Sequence, residues 1–188
     1  PEIVFTALAP YSKGITAAAE RGWRGISSNY VNAHWVATHL PKFMEGLSNA
    51  GLPEEPGKWS IAKSIFVSDD EQIAQRYAKS ESGPYGFYFQ NIMKKIKRGR
   101  GSQGLALFKS YPDQPEEELT VQHSLDNGVI AGTVNSVVDQ ILALRELVGP
   151  FGTLMYTGHD WADIPLSRRS MELMATEVMP RVNEALDE

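Results

Sequence analysis

The sequence predicts an α/β domain built on a parallel sheet, and three observations point there. Short apolar runs rich in β-formers alternate with longer stretches of helical spacing. Each run is followed by a helix before the next begins, the order of right-handed β-α-β units. Cap residues stand where those helices should start, at Ser12, at Asp69 or Asp70, and at Thr133.

Residues 3–9 form the first expected strand, broken by Pro10-Tyr11-Ser12. Ser12 can cap a helix over 13–21 that Gly22 closes. Residues 23–28 read as the second strand. An amphipathic helix over 32–49 follows, with Trp35, Leu40, Phe43, Met44 and Leu47 near helical spacing and Gly51 as its stop. Residues 59–68 are the third strand, leading to helices over 71–80 and 84–97. Residues 99–118 are rich in Gly, Ser, Pro and charge and show no period, which predicts an irregular surface excursion of the kind that is functional or mobile. A helical turn over 119–125 precedes a helix over 134–147, patterned by Val138, Ile141, Leu142 and Arg145. Residues 152–156 are the fourth strand. A polar loop over 157–164 opens the last helix, 165–186, in which Pro165 suits the first turn and Pro180 should kink or end the helix. Four strands fit either an open doubly wound sheet or half of a (β/α)8 barrel, since a whole barrel takes about 250 residues.

Composition excludes several functions. The 188 residues are 42% hydrophobic with a formal net charge of -5, which suits an ordinary globular protein and gives no footprint for nucleic acid. The one basic run, Lys94 to Arg100, reads as a solvated helix end. Without cysteine there is no disulfide, thiolate or zinc-thiolate chemistry. No apolar run approaches about 18 residues, and the start at Pro1-Glu2-Ile3 shows no signal-peptide pattern, so no membrane partner and a cytoplasmic location are expected.

Three segments could carry chemistry. Tyr11, Ser12, Lys13 and Gly14 lie between strand and helix, where free N–H groups, a hydroxyl and an ammonium could hold a phosphate. The same residues also make a plain capped helix. Thr157 to Asp163 follow the fourth strand, at the end where parallel α/β folds bind ligands. There His159 could donate a proton or hydrogen bond and Trp161 could wall a pocket. Equally, Asp160 or Asp163 could cap the last helix while Trp161 packs. Ser27 and Asn29, after the second strand, suit a pocket wall or a turn. No metal site is expected. His34 and His39 are five apart, off a shared helical face, and His123 is isolated. No G-x-S-x-G elbow exists for hydrolysis.

A family resemblance rests on Asp126-Asn127-Gly128-Val129-Ile130-Ala131-Gly132-Thr133 and the helix after it, then Gly149 to Leu154, His159-Asp160-Trp161, Ser170-Met171-Glu172-Leu173 and Glu177-Val178-Met179-Pro180. Together they resemble the C-terminal end of bacterial luciferase-like flavin monooxygenases, limonene and diketocamphane monooxygenase-like members in particular. Ala17 to Gly22 resemble the helix after the fifth barrel strand of that family. The resemblance implies the C-terminal half, strands five to eight, of a TIM (β/α)8 barrel. It implies FMN as cofactor, supplied reduced by a separate flavin reductase, with O2 and a small organic substrate as the reactants. It places Tyr11, Ser12, Lys13 and Gly14 at the FMN phosphate and His159 near flavin or substrate. The partner it implies is the missing N-terminal half, or association into a homo-oligomer, because a half barrel exposes sheet edges. A non-catalytic flavin-binding protein, a deazaflavin-dependent oxidoreductase on the same fold, and an unrelated open α/β domain are the competing readings.

Overall fold

A computed structural model describes residues 1–159 and 161–187. Its sheet contains β1 (Val4–Ala7), β2 (Arg24–Ser27), β3 (Trp59–Val67), β4 (Val129–Gly132) and β5 (Thr153–Thr157), all paired in parallel. The α/β fold class is therefore as expected. The centre is β3, whose nine residues are almost all buried. Its residues 59–61 pair with β2 and its residues 60–64 with β5. Those stretches overlap, so β2 and β5 must lie on opposite edges, giving the neighbour order β1-β2-β3-β5. These are the four expected strands. The fifth, β4, pairs farther along at Ser64–Val67. Sequence reading missed it because its four residues sit directly between two helices, one ending at Gly128 and the next starting at Val134, and periodicity alone does not tell so short an apolar run from a helix segment.

Helices α1 (Lys13–Ala19), α2 (Ala33–Val36), α3 (His39–Asn49), α4 (Glu71–Ala78), α5 (Pro84–Arg100), α6 (Val121–Gly128), α7 (Val134–Val148), α8 (Ile164–Leu173) and α9 (Met179–Asp187) complete the fold. The expected helix over 32–49 divides into α2 and α3. Pro41 is the cause: it has no N–H, and its ring would clash with the carbonyl of Ala37 in a continuous helix, so it sits in the first turn of α3. Pro180 neither ends nor breaks the last helix. A π-helical stretch, Met174–Val178, joins α8 to α9 and widens the turn ahead of the proline. Helices α1 and α3 meet at Gly46, where a Cβ would fall 2.3 Å from the Thr16 carbonyl oxygen, so only glycine allows that approach.

Alternation sorts the strands into two faces. Ala7, Trp59, Ile61, Ile65 and Val67 face α1, α3, α7 and α9 and form the larger core. Register places Val4, Thr6, Ile26, Ser60, Ala62, Ser64, Phe66 and Met155 on the other face. A second core covers only the carboxyl end of that face, joining Phe66, Val129 and Ala131 to Tyr85, Phe89 and Leu125. The rest is open, with Val4 53% and Met155 51% exposed.

The excursion differs from its expectation. Helix α5 runs on to Arg100, and 3-10 turns occupy Ser102–Phe108 and Glu116–Glu118. Leu105, Leu107 and Phe108 are buried in the second core, and the Asn32 N–H donates to the Leu107 carbonyl at 3.1 Å. Three buried apolar residues anchor a segment whose composition alone read as loop. The basic run, by contrast, is the solvated end of α5, with Lys94, Lys95, Lys97, Arg98 and Arg100 exposed.

Candidate functional site

All strands being parallel, their carboxyl ends lie at one end of the sheet, and three of them contribute to a buried polar cluster there. Asn29 follows β2, Ser64 belongs to β3, and His159 follows β5. The Asn29 amide donates to Ser64 Oγ at 3.0 Å. Ser64 Oγ lies 2.7 Å from His159 Nε2, and Asn29 Nδ2 lies 3.5 Å from that same nitrogen. The Tyr88 hydroxyl of α5 donates to Asn29 Oδ1 at 3.1 Å, which fixes the amide with its NH2 toward Ser64.

This chain of bonds assigns a tautomer. Ser64 accepts from Asn29 and so has its own proton to give, and both neighbours of His159 Nε2 are donors. Nε2 is therefore the acceptor, and the neutral ring carries its proton on Nδ1. The ring is sandwiched as well as bonded. It stacks on Tyr88 with centroids 3.8 Å apart and meets Tyr85 edge-on at 4.8 Å. Burial in these aromatic walls lowers the His159 pKa to about 4, so the ring stays neutral at physiological pH. The same desolvation raises Tyr88 and Tyr85, Tyr85 well above its ordinary value, so both phenols stay protonated.

A cavity of about 220 Å³ opens beside the imidazole, walled by Phe66, Tyr77, Tyr85, Tyr156 and Trp161. Phe66 stacks on Tyr77 at 4.4 Å. Trp161 is half exposed at the rim. Asp163 caps α8, accepting from the Leu166 N–H at 3.0 Å. Asp160 lies outside the described residues.

The expected site residues thus fall into three groups. His159 and Trp161 line this cavity, and Asn29 joins them only through its bond to Ser64 beside the imidazole. Ser27 does not. It is fully buried on the opposite face, accepting from Trp59 Nε1 at 3.2 Å and bonded to His39 Nδ1 at 2.9 Å. Two positions along a turning chain separate it from Asn29, enough to send one side chain under the helices and the other over the strand ends. Burial lowers the His39 ring to about 4, against a backbone hydrogen bond with Ala9 that raises it.

The third group, Tyr11 to Gly14, stands at the carboxyl end of β1. Tyr11 holds a left-handed backbone, φ 51°, which for a non-glycine residue is strained by about 1–2 kcal/mol. Its N–H is tied to Thr38 Oγ1 at 3.1 Å. Ser12 Oγ accepts from Gly14 N at 3.2 Å, and the Ile15 N–H donates to the Ser12 carbonyl at 3.1 Å. These internal bonds engage two of the N–H groups that a phosphate would use. Lys13 keeps its exposed ammonium.

Sequence reading missed Ser64, Tyr85 and Tyr88. A serine amid the apolar residues of β3 was the available signal for the first. The tyrosines looked like ordinary helix packing. No group of His, Asp and Glu able to hold a metal occurs among the described residues. His123 is tied into the 102–118 cover through the Phe108 carbonyl at 3.1 Å and Ser110 at 3.4 Å. No helix among the described residues is long and apolar enough to cross a membrane.

Fold and cavity together define part of a β/α barrel with a polar cluster at the carboxyl ends of its strands, where such barrels place their active sites. Comparison with known proteins makes the relation particular. 3,6-Diketocamphane 1,6-monooxygenase of Pseudomonas putida is 26% identical over 183 residues, 97% of this chain and 47% of that protein. 4-Hydroxyprotoasukamycin monooxygenase of Streptomyces nodosus subsp. asukaensis is 41% identical over 155 residues, 81% of this chain and 38% of that protein. The chain spans less than half the length of these curated relatives. Among solved structures, the oxygenating constituent of 3,6-diketocamphane monooxygenase from Pseudomonas putida, a type II Baeyer-Villiger monooxygenase in complex with FMN, superposes with a TM-score of 0.81. It shares 24% identity and is covered over 49% of its length by 97% of this chain. A coenzyme F420-dependent tetrahydromethanopterin reductase from Methanopyrus kandleri shares the fold at a TM-score of 0.60 and 19% identity. No family model matches the chain. Over less than half of their length, the chain is thus similar in sequence to proteins named as monooxygenases and in fold to one solved in complex with FMN, in line with the resemblance around His159.

Proposed function

We propose that the protein carrying this chain is an FMN-dependent monooxygenase that inserts an oxygen atom from O2 into a small organic substrate. The observation that carries this reading is the neutral His159, held by Ser64, Asn29 and Tyr88 beside an aromatic cavity at the strand ends. Flat aromatic walls and uncharged donors fit a flavin ring or an apolar substrate, and the similarity to proteins named as monooxygenases, over less than half of their length, supports the choice of chemistry. Reduced FMN supplies the electrons for oxygen activation, delivered by a separate flavin reductase in the cytoplasm.

Within that scheme the residues have distinct tasks. Tyr85, Phe66 and Tyr77 keep water from the reacting region. His159 offers a neutral Nδ1–H donor whose direction is fixed by the Ser64 bond. Asn29 and Tyr88 position Ser64 and the ring without touching the reactants. Lys13, with Tyr11, Ser12 and Gly14, is assigned to the flavin phosphate through its ammonium, since two of the backbone donors there are already engaged.

The open part of the inner sheet face supports a second component of this reading. Val4 and Met155 lie exposed where a barrel interior would close, so we assign that face to a complementary half of the same barrel, or to a second copy of the chain. Oxygen uptake by the full protein, given FMN, a flavin reductase and NADH, tests the proposal when combined with 18O2 labelling of the product. Substrate-dependent incorporation of one labelled atom is expected. Flavin binding without any incorporation across a panel of apolar ketones and alkenes would favour a non-catalytic flavin-binding protein instead.

A further inference from the structure

On the face of β3 opposite Ser64, Lys63 presents a different chemistry. It is 2% exposed, and among the described residues its ammonium makes one bond, 3.4 Å to the Val31 carbonyl. It forms no ion pair among the described residues. Burying a cation with two protons unanswered is strongly unfavourable. Desolvation, helped by the charge of Lys79, lowers its pKa to about 8, which still leaves most molecules charged at neutral pH.

Lys63 lines a cavity of about 250 Å³ between α2, the α6–β4 junction and α7, together with Ala33, Val129, Ile130, Gln140, Leu144 and Leu147. Lys79 does not compete for an occupant, because its Nζ donates to the carbonyls of Leu125, Asp126 and Val129 at 3.0, 3.1 and 2.6 Å. Gln140 is likewise engaged, its amide donating to the Ala131 and Ser136 carbonyls at 3.0 and 3.1 Å. One carboxylate, Asp126, borders the space. It accepts from Gln122 at 2.8 Å and interacts with Lys79 rather than Lys63. The cavity therefore offers one positive head position with two donors free, apolar walls, and a rim carboxylate that disfavours a dianion. Its volume falls below the roughly 300–1,000 Å³ of drug-sized sites, which suits a small ligand.

We propose that this cavity is a binding site for a small aliphatic monocarboxylate, its carboxylate paired with Lys63 Nζ and its hydrocarbon against Val129, Leu144 and Leu147. The site is independent of the flavin reading, because it lies on the other face of the sheet and uses none of the same residues.

Calorimetric titration of the full protein with hexanoate and with 1-hexanol tests it. Hexanoate should bind saturably and at least tenfold more tightly than hexanol. Lys63→Met, which keeps the chain length and removes the charge, should weaken hexanoate at least tenfold and leave hexanol unchanged or tighter. Should that variant fail to fold, Ala143→Phe decides: it fills the mouth from an exposed helical position and should weaken both ligands at least tenfold. No saturable hexanoate binding, equal affinity for acid and alcohol, or hexanoate affinity unchanged in the deciding variant would each overturn the proposal.

Discussion

Replacing Ser64 by alanine probes the candidate site at its narrowest point. The hydroxyl serves two partners, accepting from Asn29 at 3.0 Å and donating to His159 at 2.7 Å, in a place with no solvent access. Its removal leaves a buried amide donor and a buried imidazole acceptor. An unsatisfied buried polar group costs about 1–3 kcal/mol. The two orphans stand 3.5 Å apart, close enough for a modest shift to bond them directly, so part of that penalty is recovered. A net loss of about 2 kcal/mol is therefore expected in urea unfolding. The new contact rotates the imidazole away from its present direction, so turnover should fall more than substrate affinity. Imidazole 15N shifts supply a readout independent of stability. The parent should show a neutral ring with the proton on Nδ1, and the variant the same tautomer with a displaced Nε2 shift, its acceptor bond now coming from the Asn29 amide. A parent spectrum with the proton on Nε2, or a variant within about 0.5 kcal/mol of the parent, would refute the reasoning.

Other perturbations test neighbouring parts of the account. His39 and His159 titrate near 4 in the fold against 6.5 unfolded, so between those values the unfolded chain binds more protons. Stability should accordingly fall as pH drops from 6.5 to 4, by about 3 kcal/mol for each ring, and a denaturation series across that window that stays flat would contradict the assigned burial. Gly25→Ala would put a Cβ 1.9 Å from the Trp59 indole. The shift it forces should cost about 1–3 kcal/mol and loosen the Trp59–Ser27 bond, measurable as a lower melting temperature with altered tryptophan fluorescence. Phe89→Ala, in the fully buried centre of the second core, should cost about 3–5 kcal/mol. Proteolysis within 102–118 should then accelerate, because that cover packs on the same ring.

Periodicity located nearly every regular element because the strands are apolar runs and most helices carry recognisable caps. Ser12, Asp70 and Asp163 each accept from a backbone N–H of the first helical turn. Legibility failed where tertiary contacts decide. The 102–108 turn looks irregular in composition, yet Leu105, Leu107 and Phe108 hold it against α5. Of the site, His159 was legible as a titratable residue after a strand, and its neighbour Asn29 by its place at a strand end. Ser27 shared that signal and went to the other face, since strand-end position does not specify which way a side chain points. Ser64 and Tyr88, the two residues that fix the ring, are separated from it by 95 and 71 positions, and nothing local marks such a pairing.

The most direct test of the central claim is a fluorescence titration of the full protein with FMN, repeated with the deazaflavin F420 and with the Lys13→Ala and Ser64→Ala variants. The account predicts saturable FMN binding that is tighter than F420 binding. It also predicts weaker FMN binding in Lys13→Ala, and near-parental FMN affinity with reduced turnover in Ser64→Ala. Tighter binding of F420, or no FMN binding by the full protein, would contradict it.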